Sequence, residues 1–356
     1  MRSGRRLRAS SIDRASMKCF EIGDQSGLAS LRAGERDDLR PGPGEAVVRV
    51  HATCLNHRDL LVVQGSYGPK RPEQRIPVSD GVGEVLAVGD GVTQVKVGAR
   101  VTTGHFCTWL DGAFAPAVFG QDLGISRDGW LAEQMLVPAN ALLAVPDAVS
   151  DVQAAALPAA GLTAWNALVE VGRIKAGDLV LALGTGGVSI MALQIAKMHG
   201  ARVAITSSSD DKLATARALG ADYTINYATE PDWEKALLAQ TGGAGADIVV
   251  ETGGLATLSR SIVAAAPNAR IVLIGALASS GPPAAIPNFS TIIGKNLALR
   301  GITAGNRRML ADLITAVAAN GLQPVIDRTF AFDDAPDAYA YLKQGAHVGK
   351  VMIRMS

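Results

Sequence analysis

The sequence predicts an α/β protein in which a doubly wound parallel sheet is inserted into a mainly-β domain. Three observations predict it. At 356 residues the chain exceeds a single hydrophobic core. From about Asp178 onward, apolar strands alternate with helical segments, the rhythm of a parallel sheet covered on both faces. The strand-like segments Val325–Phe330 and Val351–Ile353 then return to the style of the N-terminal part. The expected boundaries are 17–146 with 318–356 for the mainly-β domain, and 147–317 for the inserted sheet.

In the first domain, Gly44–Ala52 alternates like a half-buried strand. Gly81–Val92 reads as a strand entering a glycine turn, and Val95–Val101 as a third strand. Residues 104–129, with aromatics, Pro116 and several glycines, read as an ordered loop. In the second, Leu179–Leu183 is an apolar strand, Val188–His199 has helical spacing, and Arg202–Thr206 is the next strand. Ser209 or Asp210 caps the helix that stops at Gly220. Strands at Tyr223–Asn226, Asp247–Glu251, Arg270–Ile274 and Leu297–Ile302 continue the series, and a helix is expected over Arg307–Asn320.

Composition narrows the function classes. A formal net charge of +1 argues against a nucleic-acid partner. Residues 1–16 carry five arginines against one aspartate, and are expected to be a disordered extension, a transit-like peptide or sequence upstream of a true start at Met17. The rest of the chain is slightly acidic. Cys19, Cys54 and Cys107 are too scattered for a disulfide framework or a metal knuckle, so they read as reduced thiols of a cytoplasmic protein. No membrane partner is expected, because the best apolar stretch, Leu179–Ala196, is broken by Gly184, Gly186 and Gly187.

The chemistry-bearing motif is Gly184-Thr185-Gly186-Gly187 between a strand and a helix. Gly184 permits the tight turn, Gly186 lets the backbone approach a pyrophosphate, and the helix from Gly187 and Val188 offers free N–H groups to it. This is a Rossmann dinucleotide turn, with Ser189 at the third glycine position. At the end of the next strand an NAD site usually has an acid, whereas this chain has Ser207, Ser208 and Ser209, then Lys212. Hydroxyls and a lysine suit a 2′-phosphate, so NADPH is expected over NADH. The bland alternative is that Ser209 and Lys212 merely cap and solvate a helix.

From Met17 onward the chain resembles the medium-chain dehydrogenase/reductase superfamily. The resemblance rests on His51-Ala-Thr-Cys-Leu-Asn56-His-Arg-Asp59, Ile76-Pro-Val-Ser79-Asp80-Gly-Val-Gly-Glu84, Ala159-Ala-Gly161-Leu-Thr163-Ala164, the dinucleotide turn and Gly349-Lys350. It implies a GroES-like catalytic domain, a Rossmann domain and an active site between them. Where zinc members carry metal ligands, this chain has Asn56, Ser79 and Ala159, and the cysteines of a structural zinc lobe are absent. Amide, hydroxyl and methyl groups do not make a thiolate–imidazole zinc site, so no metal is expected. His51, Cys54 and His57 are discounted as substitutes, because neighbours on a strand face opposite ways. The zinc-independent branch, with its quinone oxidoreductases and enoyl reductases, is the closer match. Of two tyrosines common in that branch's active-site segment, only Tyr67 is present, and Leu61 holds the other place.

The resemblance implies a set of roles. Asn56 orients the nicotinamide ribose or a substrate oxygen, Tyr67 faces the cleft as donor or wall, and His57 touches cofactor phosphates or shuttles a proton. Asp59 is structural, paired with a basic group. Thr163, Gly253, Gly275 and Ala276 line the nicotinamide site, Tyr227 stacks near the adenine, and Lys350 contacts cofactor or caps a strand. The expected activity is NADPH-dependent reduction of a small-molecule enone or quinone. Zinc-free alcohol or carbonyl reduction, and a non-catalytic NADPH-binding role, are the alternatives. A homodimer through the sheet edge at Leu297–Gly301 is also implied.

Overall fold

Alternating valines build the first sheet in the computed structural model, which describes residues 16–275 and 288–355. Of the basic extension only Ser16 falls among the described residues, where it opens β1 (Ser16–Ile22), antiparallel to β2 (Leu31–Asp37). The long strand β3 (Glu45–Leu55) is flanked by β4 (Asp80–Val88) and, on its N-terminal half, by β6 (Gln134–Pro138). Beyond β4 lie β5 (Arg100–Thr102) and β7 (Leu143–Ala144). The strand expected over Val95–Val101 is therefore only β5. Its first part is a turn, closed by Ala99 N–H donating to Lys96 O at 3.0 Å, with Val97 62% exposed.

The second sheet has six strands: β8 (Leu179–Ala182), β9 (Arg202–Ser207), β10 (Tyr223–Asn226), β11 (Ala246–Glu251), β12 (Ala265–Leu273) and β13 (Ala298–Gly301). Their spatial order is β10-β9-β8-β11-β12-β13, and every neighbouring pair is parallel. Order reverses between β8 and β11, so a ligand crevice opens there beyond the carboxyl ends of the strands. The helices Gly187–Met198, Asp210–Ala218 and Arg307–Asn320 stand where periodicity puts them, and Ser209 caps the second. The chain then re-enters the first sheet. β14 (Ile326–Ala331) runs parallel to β15 (Lys350–Arg354), which pairs antiparallel with the C-terminal half of β3.

Periodicity did not expose the helices His57–Val63 and Ala335–Gln344, nor the helical run across 151–171. That run joins the helices Asp151–Ala156 and Leu162–Trp165 through π-helical turns at Leu157–Gly161 and Asn166–Val171. By length and hydropathy alone it would cross a membrane, yet 83% of its apolar 18-residue window is buried inside the protein. A helix enclosed on all sides has no polar face, so it leaves no 3.6-residue pattern to read. It packs in an apolar cluster that also holds Ala52, Cys54 and Val82 of the first sheet and Ile190, Leu310 and Leu313 of the second unit. Part of the seam between the units is thus apolar core.

One ion pair pins the segment after β3. Arg58 donates to Asp122 Oδ1 at 2.7 Å and to Leu123 O at 3.0 Å, with the two side chains only 8% and 2% exposed. Removing one partner strands a buried charge, whereas removing both need not destabilise. Arg58→Met is expected to lower unfolding free energy by about 3–5 kcal/mol. Adding Asp122→Leu should recover most of that loss in urea melts, and an equally unstable double variant would show that the pair is not what the segment depends on.

Candidate functional site

The phosphate turn forms as its glycines require. Gly184 adopts φ 75°, in the left-handed region, and its N–H donates to Thr206 Oγ1 at 3.2 Å. No side chain caps the helix that begins at Gly187, so its first N–H groups remain for a ligand. A Cβ at Gly186 would meet nothing within 4 Å, so the space in front of the turn is open to an anion. Thr185 O accepts from Gly349 N–H at 3.1 Å, which ties the turn to the strand returning as β15. Val188 is half-buried on the first helical turn.

Beside the turn lies a cavity of about 390 Å³ lined by Gly184, Thr206, Tyr227, Trp233, Gly253 and Arg260. It unites three of the expected cofactor residues and adds Thr206, Trp233 and Arg260, which sequence reasoning did not single out. Tyr227 is 43% exposed at its edge. Ser207 is buried, and its hydroxyl accepts from Ser209 N–H at 3.3 Å; Ser208 is exposed. The Lys212 ammonium donates to Gly345 O at 2.5 Å, so it reaches across to the loop before β15. That loop carries His347, whose neighbours include Lys212, Lys350 and His57. Burial holds His347 and His57 below the usual imidazole range, and for His347 the nearby lysines add to the effect. His347 stands two residues before Gly349 in the motif already noted, a signal that was there to read.

Asn56 caps the helix His57–Val63 with extended backbone, and Asp59 completes the cap by accepting from Asn56 N–H at 2.7 Å. Asp59 is thus structural, but it serves its own helix and no basic partner bonds it directly. Burial pushes its carboxyl up to about 7. His57 begins a helix, not a strand position, so the strand argument against a His51–Cys54–His57 metal set does not apply to it. His51 instead pairs with Asp151 at 2.9 Å, and burial pushes the Cys54 thiol up to about 12. Among the described residues no group of three His, Cys, Asp or Glu side chains gathers to hold a metal.

Asn56, Ser79 and Ala159 come together around Asp80 and Lys350. The Lys350 ammonium donates to Asn56 Oδ1 at 2.5 Å and to Leu55 O at 2.9 Å, and stands 3.6 Å from Asp80 Oδ2. Asp80 accepts from the Ser79 hydroxyl at 2.9 Å and from Ala159 N–H at 3.1 Å. The Lys350 and Asp80 side chains are 2% and 0% exposed. A buried ammonium among amide, hydroxyl and methyl groups does not fit a zinc ligand set. Thr163 is buried three residues beyond Ala160, in the helix Leu162–Trp165.

A second, largely apolar cavity of about 800 Å³ opens at the carboxyl ends of β11–β13, among the described residues. Trp109, Phe114, Phe119, Leu255, Ile274 and Met309 line it, together with Gly275, Asn166 and Arg300. Phe114 and Phe119 meet edge-to-face with centroids 5.7 Å apart although both rings are more than 40% exposed. They make an exposed aromatic patch at the mouth of the cavity. Tyr67 is not among the lining residues. It lies between the guanidinium groups of Arg58 and Arg71, 5.5 and 6.0 Å from its ring, and packs on the cluster under β1. Ala276 lies outside the described residues.

Two family models match the chain. One, described as the alcohol dehydrogenase GroES-like domain, covers residues 42–147. The other, described as zinc-binding dehydrogenase, covers residues 187–319. A zinc-type alcohol dehydrogenase-like protein of Schizosaccharomyces pombe is 40% identical over 93% of this chain and 96% of its own. A crystal structure from Sinorhizobium meliloti 1021, assigned provisionally to the alcohol dehydrogenases, is 39% identical with a TM-score of 0.88, covering 95% of this chain and 98% of that one. A solved NAD-dependent alcohol dehydrogenase is 34% identical with a TM-score of 0.86, covering 96% of this chain and all of that one.

The open space at Gly186 gives a test that separates ligand contact from folding. Gly186→Val adds a side chain where the backbone has room but a pyrophosphate would sit. Dinucleotide affinity, read by fluorescence titration, is expected to fall about a hundredfold while Tm moves by no more than about 2 °C. Unchanged affinity would remove the turn from the binding site.

Proposed function

The chain belongs to the medium-chain dehydrogenase/reductase superfamily as an NAD(P)-dependent oxidoreductase, and we propose that it reduces conjugated carbonyls, enones or quinones, with NADPH and without zinc. One observation carries the reading. At the three places where zinc members hold metal, Asn56, Ser79 and Ala159 gather on a buried Lys350–Asp80 pair. A metal chiefly helps the reduction of a simple carbonyl, whose negative charge localises on one oxygen. A conjugated acceptor spreads that charge, and hydrogen-bond donors suffice.

The reduced nicotinamide, when bound, supplies a hydride with its electron pair. An enone accepts it at the carbon remote from the carbonyl, charge moves to the oxygen, and a proton from water completes the saturated ketone. The chain's part is to bind and orient. The turn from Gly184 to Val188 holds the pyrophosphate, with His57 and His347 beside it. Thr163, Gly253 and Gly275 border the nicotinamide, and Tyr227 the adenine. Asn56 donates to the carbonyl oxygen, and Tyr67 supports that wall from behind through Arg58. Trp109, Phe114 and Phe119 give the apolar cavity its aromatic walls.

Ser207, Ser208 and Lys212 favour NADPH, with no acid on the last two residues of β9 to repel a 2′-phosphate. Zinc-free alcohol or carbonyl reduction is the second reading; the similar proteins called alcohol dehydrogenases support its alcohol chemistry, not its freedom from zinc. A non-catalytic NADPH-binding role is a third, and it predicts no turnover in any assay. The homodimer proposed here adds a second copy at the exposed edge of β13, which no further strand covers among the described residues.

One experiment separates these readings. Quinones, enones, aldehydes and secondary alcohols are assayed with NADPH and NADH, before and after chelation, with metal content measured on the same sample. Turnover of enones or quinones with NADPH, insensitive to chelation, is expected. Turnover of simple alcohols alone, or stoichiometric zinc with activity lost on chelation, would defeat the first choice. Lys212→Ala is expected to weaken NADPH about tenfold and leave NADH unchanged.

A further inference from the structure

The Lys350 side chain does two things at once. Its stem passes beneath the phosphate turn, with Cδ 2.9 Å from the point where Gly187 would carry a Cβ. Its ammonium ends on the far side of the seam, on Asn56 Oδ1 and Leu55 O. An ammonium has three donors and no acceptor. An asparagine amide, by contrast, has two nearly isosteric orientations, with oxygen and nitrogen exchanged. Turned the wrong way, the Asn56 NH2 would face the Lys350 NH3+, donor against donor. One orientation is therefore enforced. In it the amide nitrogen finds, among the described residues, only Cys54 O, at 3.5 Å, the limit of a hydrogen bond. The NH2 group of a half-buried side chain is left for a ligand.

We propose that Lys350 is the positioning residue of the site: it locks the Asn56 amide with its oxygen inward, so that the NH2 group is presented to the substrate oxygen on which charge develops. The ammonium also draws electron density toward the amide oxygen and strengthens the N–H as a donor. Asp80, held by Ser79 and Ala159, keeps the lysine charge compensated without taking it from Asn56. This gives Lys350 a role other than holding cofactor, since its two close partners are both protein oxygens. The inference rests on the metal-free reading above.

Four variants test it, assayed by steady-state kinetics on the best acceptor from the substrate panel and by NADPH titration. Asn56→Asp keeps an acceptor for Lys350 but removes the NH2 group. Lys350→Met removes the orienting charge, Lys350→Arg restores a donor, and the fourth combines Lys350→Met with Asn56→Asp. Asn56→Asp and Lys350→Met are each expected to lower kcat about a hundredfold while NADPH affinity changes by less than about threefold. The double variant should be no worse than either single one, because both act through the same amide. Lys350→Arg should recover part of the rate. Full kcat in Asn56→Asp overturns the proposal, and that variant decides the matter if Lys350→Met does not fold. So does a Lys350→Met enzyme that keeps kcat but loses NADPH affinity, which would make the lysine a cofactor ligand. Zinc-dependent activity in the unmodified protein defeats the metal-free reading itself, and this proposal with it.

Discussion

The buried Lys350–Asp80 pair is the constraint on which the seam depends. Two charges with side chains at most 2% exposed are costly to desolvate, and mutual attraction offsets that only if other hydrogen bonds satisfy what remains. Besides Ser79, the residue before Asp80, the partners come from two further segments of chain. Leu55 ends β3 with Asn56 directly after it, and Ala159 sits in the first π-helical turn. None can shift without leaving a buried charge short of a partner. The return of the chain as β15, beside β3, is what delivers the lysine to that spot. The insertion topology and the site geometry are thus one arrangement.

The π-helical turns fit the same logic. A π turn places one extra residue in the helical path and re-aims the side chains and amides around it. At Leu157–Gly161 it lets Ala159 N–H reach Asp80. At Asn166–Val171 it begins on Asn166, whose amide donates to Ala304 O at 2.6 Å and lines the larger cavity. A regular helix through 151–171 would have a different residue at each of these points. The irregularity lies where the helix meets chemistry.

What was legible in the sequence follows from how local each signal is. The parallel sheet announced itself through strands and helices of ordinary length, and the phosphate turn through three glycines within four residues. The helix 151–171 was not legible, because burial on every side erases periodicity. The strand at Val95–Val101 was over-read, since alternating valines do not distinguish a strand from a turn that exposes Val97. Asn56, Ser79 and Ala159 could be marked as lacking metal ligands from motifs alone. The ion pair they gather around could not, because Asp80 and Lys350 lie 270 positions apart and only topology joins them. For Tyr67 the motif position suggested a cleft residue, and the motif could not show that two arginines lie near its ring.

A fixed ammonium differs from a metal ion in ways that bear on chemistry. A divalent metal binds the reacting oxygen directly and stabilises a full negative charge. On the proposal above Lys350 acts at one remove, through an amide, and Asp80 Oδ2 stands 3.6 Å from its ammonium. The field it leaves for a substrate is that of an oriented dipole, which suits a charge spread over a conjugated system better than a localised alkoxide. The second cavity agrees in character. Conjugated carbonyls are flat and largely apolar, and the aromatic rings of Trp109, Phe114 and Phe119 offer flat apolar walls with Asn166 as a polar point among them. On the proposed reading, the weak electrostatic pull of the seam and the aromatic lining of the cavity select the same acceptors, one by how charge is held and the other by shape.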